Sequence, residues 1–192
     1  MSRQKCLMVG AGHGPLKRKV EPLGALPDPE WVTLDVNPDV KPDVVFDLNN
    51  IEAIAPWYTG EGFQSNCLPF HNDTFDEIHC YEVMEHYGTQ GDYRGFFQGM
   101  KEWWRILKPR GYLVGTVPMW NTVHAFGDPG HTRILSAYTF CFLNPDIYEK
   151  NWAEGRPMTD YRKFVDPCWW IVDGEDKEIH HVFGLQKLCP VA

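Results

Sequence analysis

The stretch Val9-Gly10-Ala11-Gly12-His13-Gly14 constrains this chain more than any other. It follows the apolar run Cys6-Leu7-Met8-Val9, so residues 5 to 9 read as a buried strand. Three glycines at alternate positions let the backbone turn sharply and approach another group closely, because none carries a Cβ. Directly after a first strand, such a turn is where open α/β sheets cradle a nucleotide cofactor. A plain tight turn uses the same residues, so the rest of the chain has to decide between the two.

The next segments are short. Prolines at 22, 27 and 29 rule out a long helix after Pro15 and predict an irregular connection. Trp31 to Asp35 and Asp43 to Asp47 read as strands two and three, each ending in an acid, joined by a link too short for a helix. Such strands run parallel only if other strands intervene or the link loops back. Leu48 to Gly62 predicts a short helix, and Phe75 to Cys80 a fourth strand that is left by Tyr81 to Tyr87. The clearest helix runs from about Tyr93 to Leu107, with Asp92 as its N-cap. Phe96, Phe97, Met100, Trp103 and Leu107 recur there at three- and four-residue steps, an apolar face for a sheet. Pro109 and Gly111 stop the helix before a strand at Tyr112 to Val117. Ser136 and Pro145 are expected to open short helices. Trp169 to Val172, a turn at Asp173-Gly174-Glu175-Asp176, and Glu178 to Lys187 predict a closing antiparallel hairpin. The order implies an open, mostly parallel α/β sheet in a single domain over residues 1–192.

Composition narrows the function. A net charge of −8 argues against duplex nucleic acid, since phosphate backbones are bound by clustered Lys and Arg. Lys17-Arg18-Lys19 is the one basic cluster and reads as solvated loop. No run approaches the roughly 18 to 20 apolar residues that cross a bilayer, and the start of the chain has no signal-peptide core. A soluble cytoplasmic protein with no membrane partner is expected. The cysteines at 6, 67, 80, 141, 168 and 189 form no CxxC pair and read as reduced and mostly structural. Cys67, His71, His79 and Cys80 match no standard zinc spacing, so no metal is expected.

The glycine pattern is G-x-G-x-G; the dinucleotide fingerprint would need glycine where Pro15 stands. With Asp35, Asp47, Leu68-Pro69-Phe70, Phe75-Asp76-Glu77-Ile78, Glu85-His86 and Glu102 to Leu113 following in order, the chain resembles the class I S-adenosylmethionine-dependent methyltransferases, in the compact type 11-like group. The resemblance covers roughly residues 5 to 117. It implies a Rossmann-like sheet with helices on both faces, the terminal hairpin as the family's reversed last strand, and S-adenosyl-L-methionine as cofactor. The usual KPGG is Lys108-Pro109-Arg110-Gly111 here, which keeps the turn.

By the same resemblance, Gly10, Ala11, Gly12 and Gly14 let the backbone approach the methionine and ribose parts. Asp35, with Val36 beside it, accepts the ribose hydroxyls, a task suited to an acceptor-only carboxylate. Asp47 receives the adenine amino group beside Leu48, and Cys80 and Tyr81 meet the methionine end. Asp35 as a strand-end acid and Asp47 as a cap are the plainer alternatives.

If the nucleophile holds a proton, a base is needed. His86, His131 and His124 are the candidates, with Arg133 in the same loop as the last two; each could equally pack or cap. Residues 119–168 are expected to form a substrate-recognition insertion, whose aromatics Trp152, Tyr161, Phe164, Trp169 and Trp170 could line a pocket or fill core. Cys80-Tyr81-Glu82-Val83 stands where amino-methylating DNA enzymes carry a D-P-P-Y-type motif, which argues against that subclass. The acceptor is a small molecule or an exposed group on a larger partner, and the chain a monomer or homodimer. A non-catalytic cofactor-binding regulator and a nicotinamide-dependent oxidoreductase remain as alternatives.

Overall fold

The computed structural model describes residues 3–14, 29–51, 67–164 and 169–188. Among these, seven strands form one sheet: β1 (Lys5–Val9), β2 (Glu30–Asp35), β3 (Val44–Val45), β4 (Phe75–Tyr81), β5 (Leu107–Pro118), β6 (Trp169–Lys177) and β7 (His180–Lys187), in the order β3-β2-β1-β4-β5-β7-β6. The pairings through β5 are parallel, and β7 runs antiparallel to both β5 and β6. The mostly parallel sheet with an antiparallel close is thus the fold expected from the sequence. Cys6, Leu7, Met8 and Val9 are all buried, the unbroken apolar run that a strand covered on both faces requires. No helix among the described residues is long and apolar enough to cross a membrane.

Four helices are described: α1 (Tyr93–Ile106), α2 (Val123–Phe126), α3 (Ala137–Cys141) and α4 (Pro145–Ala153). Asp92 caps α1 as expected, its Oδ1 accepting the Gly95 N–H at 3.0 Å. Phe96, Phe97, Met100, Trp103 and Ile106 bury the apolar face of α1 in the core. Each such side chain contributes about 1.5–3 kcal/mol on burial. Gly95 and Gly99 lie one turn apart on α1. The Tyr87 ring rests on Gly99, where an added Cβ would come within 2.5 Å of it, and its hydroxyl donates to the Gly95 carbonyl at 2.8 Å. Helix and post-β4 segment are thereby locked together.

One open alternative is settled and two local expectations change. The link between β2 and β3 stays on parallel neighbours, although parallel neighbours usually need a dozen or more linking residues. Here β3 is only two residues long and pairs with Leu34 and Asp35, so the chain has little distance to retrace. A 3-10 turn at Pro38–Val40, left-handed Lys41 (φ 54°) and the Thr33–Asp43 hydrogen bonds at 2.7–2.9 Å make the reversal. Asp43 is held below the usual carboxylate range by those bonds from Thr33. Secondly, the hairpin turns at Glu178-Ile179, and Asp173 to Asp176 lie within β6. An Asp-Gly pair is a strong turn signal, but here a register irregularity between Ile171 and Asp173 absorbs it into the strand. Thirdly, β5 starts at Leu107, which pairs with Phe75 before residues 108–111 bulge out and Tyr112 resumes against Glu77.

The expected helix from Leu48 begins as a 3-10 turn, Leu48–Asn50, and its remainder lies outside the described residues, as does the connection from Pro15 to Asp28. Ser136 and Pro145 do precede or open short helices. Tyr161, Phe164 and Trp169 pack with the core, while Trp152 and Trp170 are exposed. Cys6, Cys67, Cys80 and Cys141 carry thiols rather than disulfides. Cys168 and Cys189 lie outside the described residues.

Arg110 takes a left-handed φ of 65° in the bulge with its side chain in solvent. Such a conformation costs an L-residue roughly 1–2 kcal/mol, of which glycine's greater unfolded-state freedom offsets part. Arg110→Gly is therefore expected to stabilise the protein by about 0.5–1 kcal/mol in urea denaturation; a loss of stability would contradict the backbone account.

Candidate active site

Parallel strands end together, so β1, β2, β3 and β4 deliver their following residues to one edge of the sheet. A cleft opens there. Val9 and Gly10 line it from β1, Leu34, Asp35 and Val36 from β2, Phe46 to Asn49 from the segment after β3, and Val83, His86 and Tyr87 from the segment after β4.

Gly10 has φ 64° and donates its N–H to the Leu34 carbonyl at 2.8 Å. A Cβ there would collide with the Val83 side chain, so both conformation and space demand glycine. Gly12 has φ 58° and donates its N–H to Asp35 Oδ2 at 3.0 Å. The other Asp35 oxygen accepts the Asn37 N–H at 2.9 Å. Asp35 is thus a strand-end acid that shapes its own turn and also holds the glycine loop over the cleft. Gly14 has neither a left-handed φ nor a described atom near its missing Cβ, so the described geometry does not itself require glycine there.

Asp47 caps the 3-10 turn through Oδ1, which accepts the Asn49 N–H at 2.9 Å and its side-chain amide at 3.1 Å. It lines the cleft as well, together with Leu48 and the exposed Val36. Ala11, Gly12, Gly14, Cys80 and Tyr81 are not among the described residues lining this cleft. Cys80 is buried in the core, where burial pushes its thiol pKa up, and the Tyr81 hydroxyl pairs with His79 Nδ1 at 2.8 Å. Val83, two residues beyond β4, lines the cleft and was not among the expected site residues. Asn49, Phe46 and Tyr87 were likewise missed; only their adjacency to Asp47 and His86 signalled them.

The post-β4 segment carries the second half of the site. His86 Nδ1 donates to the Gly130 carbonyl at 3.0 Å, and the His86 and His131 rings meet edge to face at 4.7 Å. The loop bearing His131 is strapped down by the Glu85 carbonyl, which accepts the N–H groups of Thr132 and Arg133 at 2.9 and 3.0 Å. Arg133 is buried and donates to the carbonyls of Tyr87 and Asp92 at 3.1 and 3.0 Å, which makes it a tether. His124 is exposed on α2 and stands apart from the cleft lining and the His86–His131 pair.

Beside these imidazoles lies Glu85, 2% exposed, with neither carboxyl oxygen hydrogen-bonded. Burial pushes its pKa up to about 8; its own main-chain N–H pulls it down, and the charges of Glu82 and Asp128 add to the rise. From about pH 4.5 to 8 the unfolded chain releases a proton that the fold retains, so this group makes stability fall as pH rises. The slope is at most about 1.4 kcal/mol per pH unit. Glu85→Gln has no proton to lose. In urea denaturation with chelator present, its stability relative to wild type should grow between pH 5 and pH 8; parallel curves would show that the buried carboxyl does not titrate as described.

The "Methyltransferase domain" family model matches residues 7–115, more than half of the chain. No curated protein matches it. Among solved structures, a SAM-dependent methyltransferase from Archaeoglobus fulgidus is similar with a TM-score of 0.54 at 14% identity, over 97% of this chain and 87% of that one. One from Methanosarcina mazei is similar with a TM-score of 0.54 at 17% identity, over 98% and 94%. The [4+2]-cyclase SpnF shares the fold with a TM-score of 0.51 at 15% identity, over 97% and 75%. The matched residues hold the glycine turn, both strand-end acids and the Glu85-His86 segment, and the chain belongs to the S-adenosyl-L-methionine-dependent methyltransferase domain family.

Proposed function

We propose that the chain transfers a methyl group from S-adenosyl-L-methionine to an acceptor that reaches the cleft from the side of His86 and His131. One observation carries the reading: Asp35, a buried carboxylate at the end of β2, holds the glycine loop and faces the same cleft as the apolar Val36, Phe46 and Leu48. That combination suits a ribose flanked by an adenine ring. Asp35 would accept the two ribose hydroxyls, since an ionised carboxylate has acceptors to spare beyond the Gly12 and Asn37 amides. Val36 and Leu48 would cover the ring, and Asp47 would receive its amino group, because both described bonds use Oδ1. Gly10, Ala11, Gly12 and Gly14 would leave backbone room for the ribose and methionine parts, with the backbone of Cys80 and Tyr81 below.

When bound, the cofactor supplies an electrophilic methyl group on a sulfonium. The chain's task is then to align the acceptor and keep it there, which is proximity and orientation. His86 and His131 would serve this, with residues 119–168 as the recognition segment, whose Thr132 and Arg133 are tied to the Glu85 carbonyl. The acceptor is a small molecule or an exposed group on a larger partner.

Asp35→Ala should weaken S-adenosylhomocysteine binding roughly 10- to 100-fold in calorimetry, the worth of hydrogen bonds to a charged acceptor. Tight NAD binding, or an unchanged affinity in the variant, would overturn the site. His131→Ala should keep that affinity within about threefold while lowering radiolabelled methyl incorporation from cell extract by about 100-fold or more. Loss of cofactor affinity alone would place His131 elsewhere.

A further inference from the structure

We infer that Glu85, His86 and His131 form a site for a divalent transition-metal ion at the acceptor end of the cleft. One ligand atom from each residue lies within 4.8 Å of the other two. A four-coordinate ion with bonds of about 2.0–2.2 Å would draw such atoms to roughly 3.4 Å apart, an inward shift that side-chain rotation can supply. Both Glu85 oxygens and His131 Nδ1 are buried without a hydrogen-bond partner. Buried polar groups are almost always paired, so three unpaired polar atoms on two neighbouring residues call for an explanation. They belong to two of the three residues whose ligand atoms cluster within 4.8 Å.

The surroundings orient the ligands as a metal requires. A carbonyl can only accept, so the His86 Nδ1 bonded to Gly130 carries a proton, which leaves Nε2 as the nitrogen able to ligate. Metal-binding histidines commonly donate their second ring N–H to a carbonyl or carboxylate in this way. On His131, Nε2 lies 3.9 Å from Asp128 Oδ2, so a carboxylate also stands behind that ring, while Nδ1 points inward. The loop that brings His131 in hangs on Glu85's own carbonyl, which makes the arrangement a built one. Another such group among the described residues, Cys6, Glu77 and His79, differs: both His79 nitrogens are already taken, by Glu77 and Tyr81 at 2.8 Å.

Two imidazoles and one carboxylate favour zinc or a neighbouring first-row ion over magnesium, which prefers an all-oxygen shell. Three protein ligands leave a coordination position open, and His86 turns the site toward the cleft. Resting on the methyl-transfer reading, the acceptor class follows: an oxygen-bearing group, a hydroxyl above all, bound to the ion and made acidic by it, so that its proton passes to water and no protein base is needed. His86 and His131 then hold the ion instead of carrying a proton, and the sequence-based expectation of no metal is revised.

The full chain, free of affinity histidines and stripped by chelator, should bind one equivalent of Zn²⁺ in calorimetry with micromolar or tighter affinity. Co²⁺ should give a visible absorption band of a four- or five-coordinate site, and Mg²⁺ should not compete at equal concentration. Glu85→Gln and His131→Ala should each weaken Zn²⁺ binding at least tenfold while still binding S-adenosylhomocysteine, which reports that they fold. No stoichiometric Zn²⁺ in the wild type overturns the inference whatever the variants do. An equivalent retained by both variants places the ion elsewhere and overturns it too. Cofactor binding separates the two readings: Zn²⁺ without S-adenosylhomocysteine keeps the metal site and sinks the methyl-transfer reading, and the reverse keeps only the latter.

Discussion

The parallel pairing of β1 with β4, Cys6 to Val9 against Glu77 to Cys80, is the constraint on which the rest of the structure depends. It brings the ends of two strands far apart in sequence to the same edge, so Gly10 and Val83 meet with no room for a Cβ between them. The cleft is the space above that contact. The same centre admits β5 only because Gly115 has no side chain to strike the Cys80 carbonyl. α1 then covers the sheet with Phe97, Met100, Trp103 and Ile106, and through Gly99 it grips Tyr87 and so sets where His86 stands.

Polar groups buried in this core are mostly well paired. Glu102 takes both nitrogens of the Arg105 fork at 2.5 and 2.9 Å and the Leu68 N–H at 2.8 Å, while Arg105 reaches on to the carbonyls of Leu68 and Phe70. Glu102 and Arg105 therefore act as a clamp that holds the approach to β4. Lys187, buried at the far side, is held by Asp73 and the Leu107 carbonyl, both at 2.6 Å. Against that background the unpaired carboxyl of Glu85 stands out, and it lies next to His86 at the cleft. Natural folds tolerate such groups where function requires them.

Much of this could be read from the residues. The glycine turn, Asp35, Asp47 and the Asp92-capped helix are local features, governed by φ, by capping and by a three-to-four-residue period, and they occur where expected. The misplaced hairpin turn shows the limit of local signals. Asp173-Gly174 carries the chemistry of a turn, yet pairing with Phe183 and Gly184 across a register irregularity keeps both in β6. At the end of β4 the backbone position was legible and the side-chain direction was not: alternation sends Cys80 into the core and Tyr81 to His79.

The sequence by itself determined the class of sheet, the place of the glycine turn and the two acids that line the cleft, because strand period, glycine conformation and strand-end carboxylates are properties of a few consecutive residues. Only the tertiary structure decided the other half. His86 and His131 are far apart in sequence and identical in kind to His124, which stays in solvent. Their meeting over Glu85 depends on hydrogen bonds from Thr132 and Arg133 to a single carbonyl, and no spacing rule encodes a contact made by a loop folding back on a distant strand end.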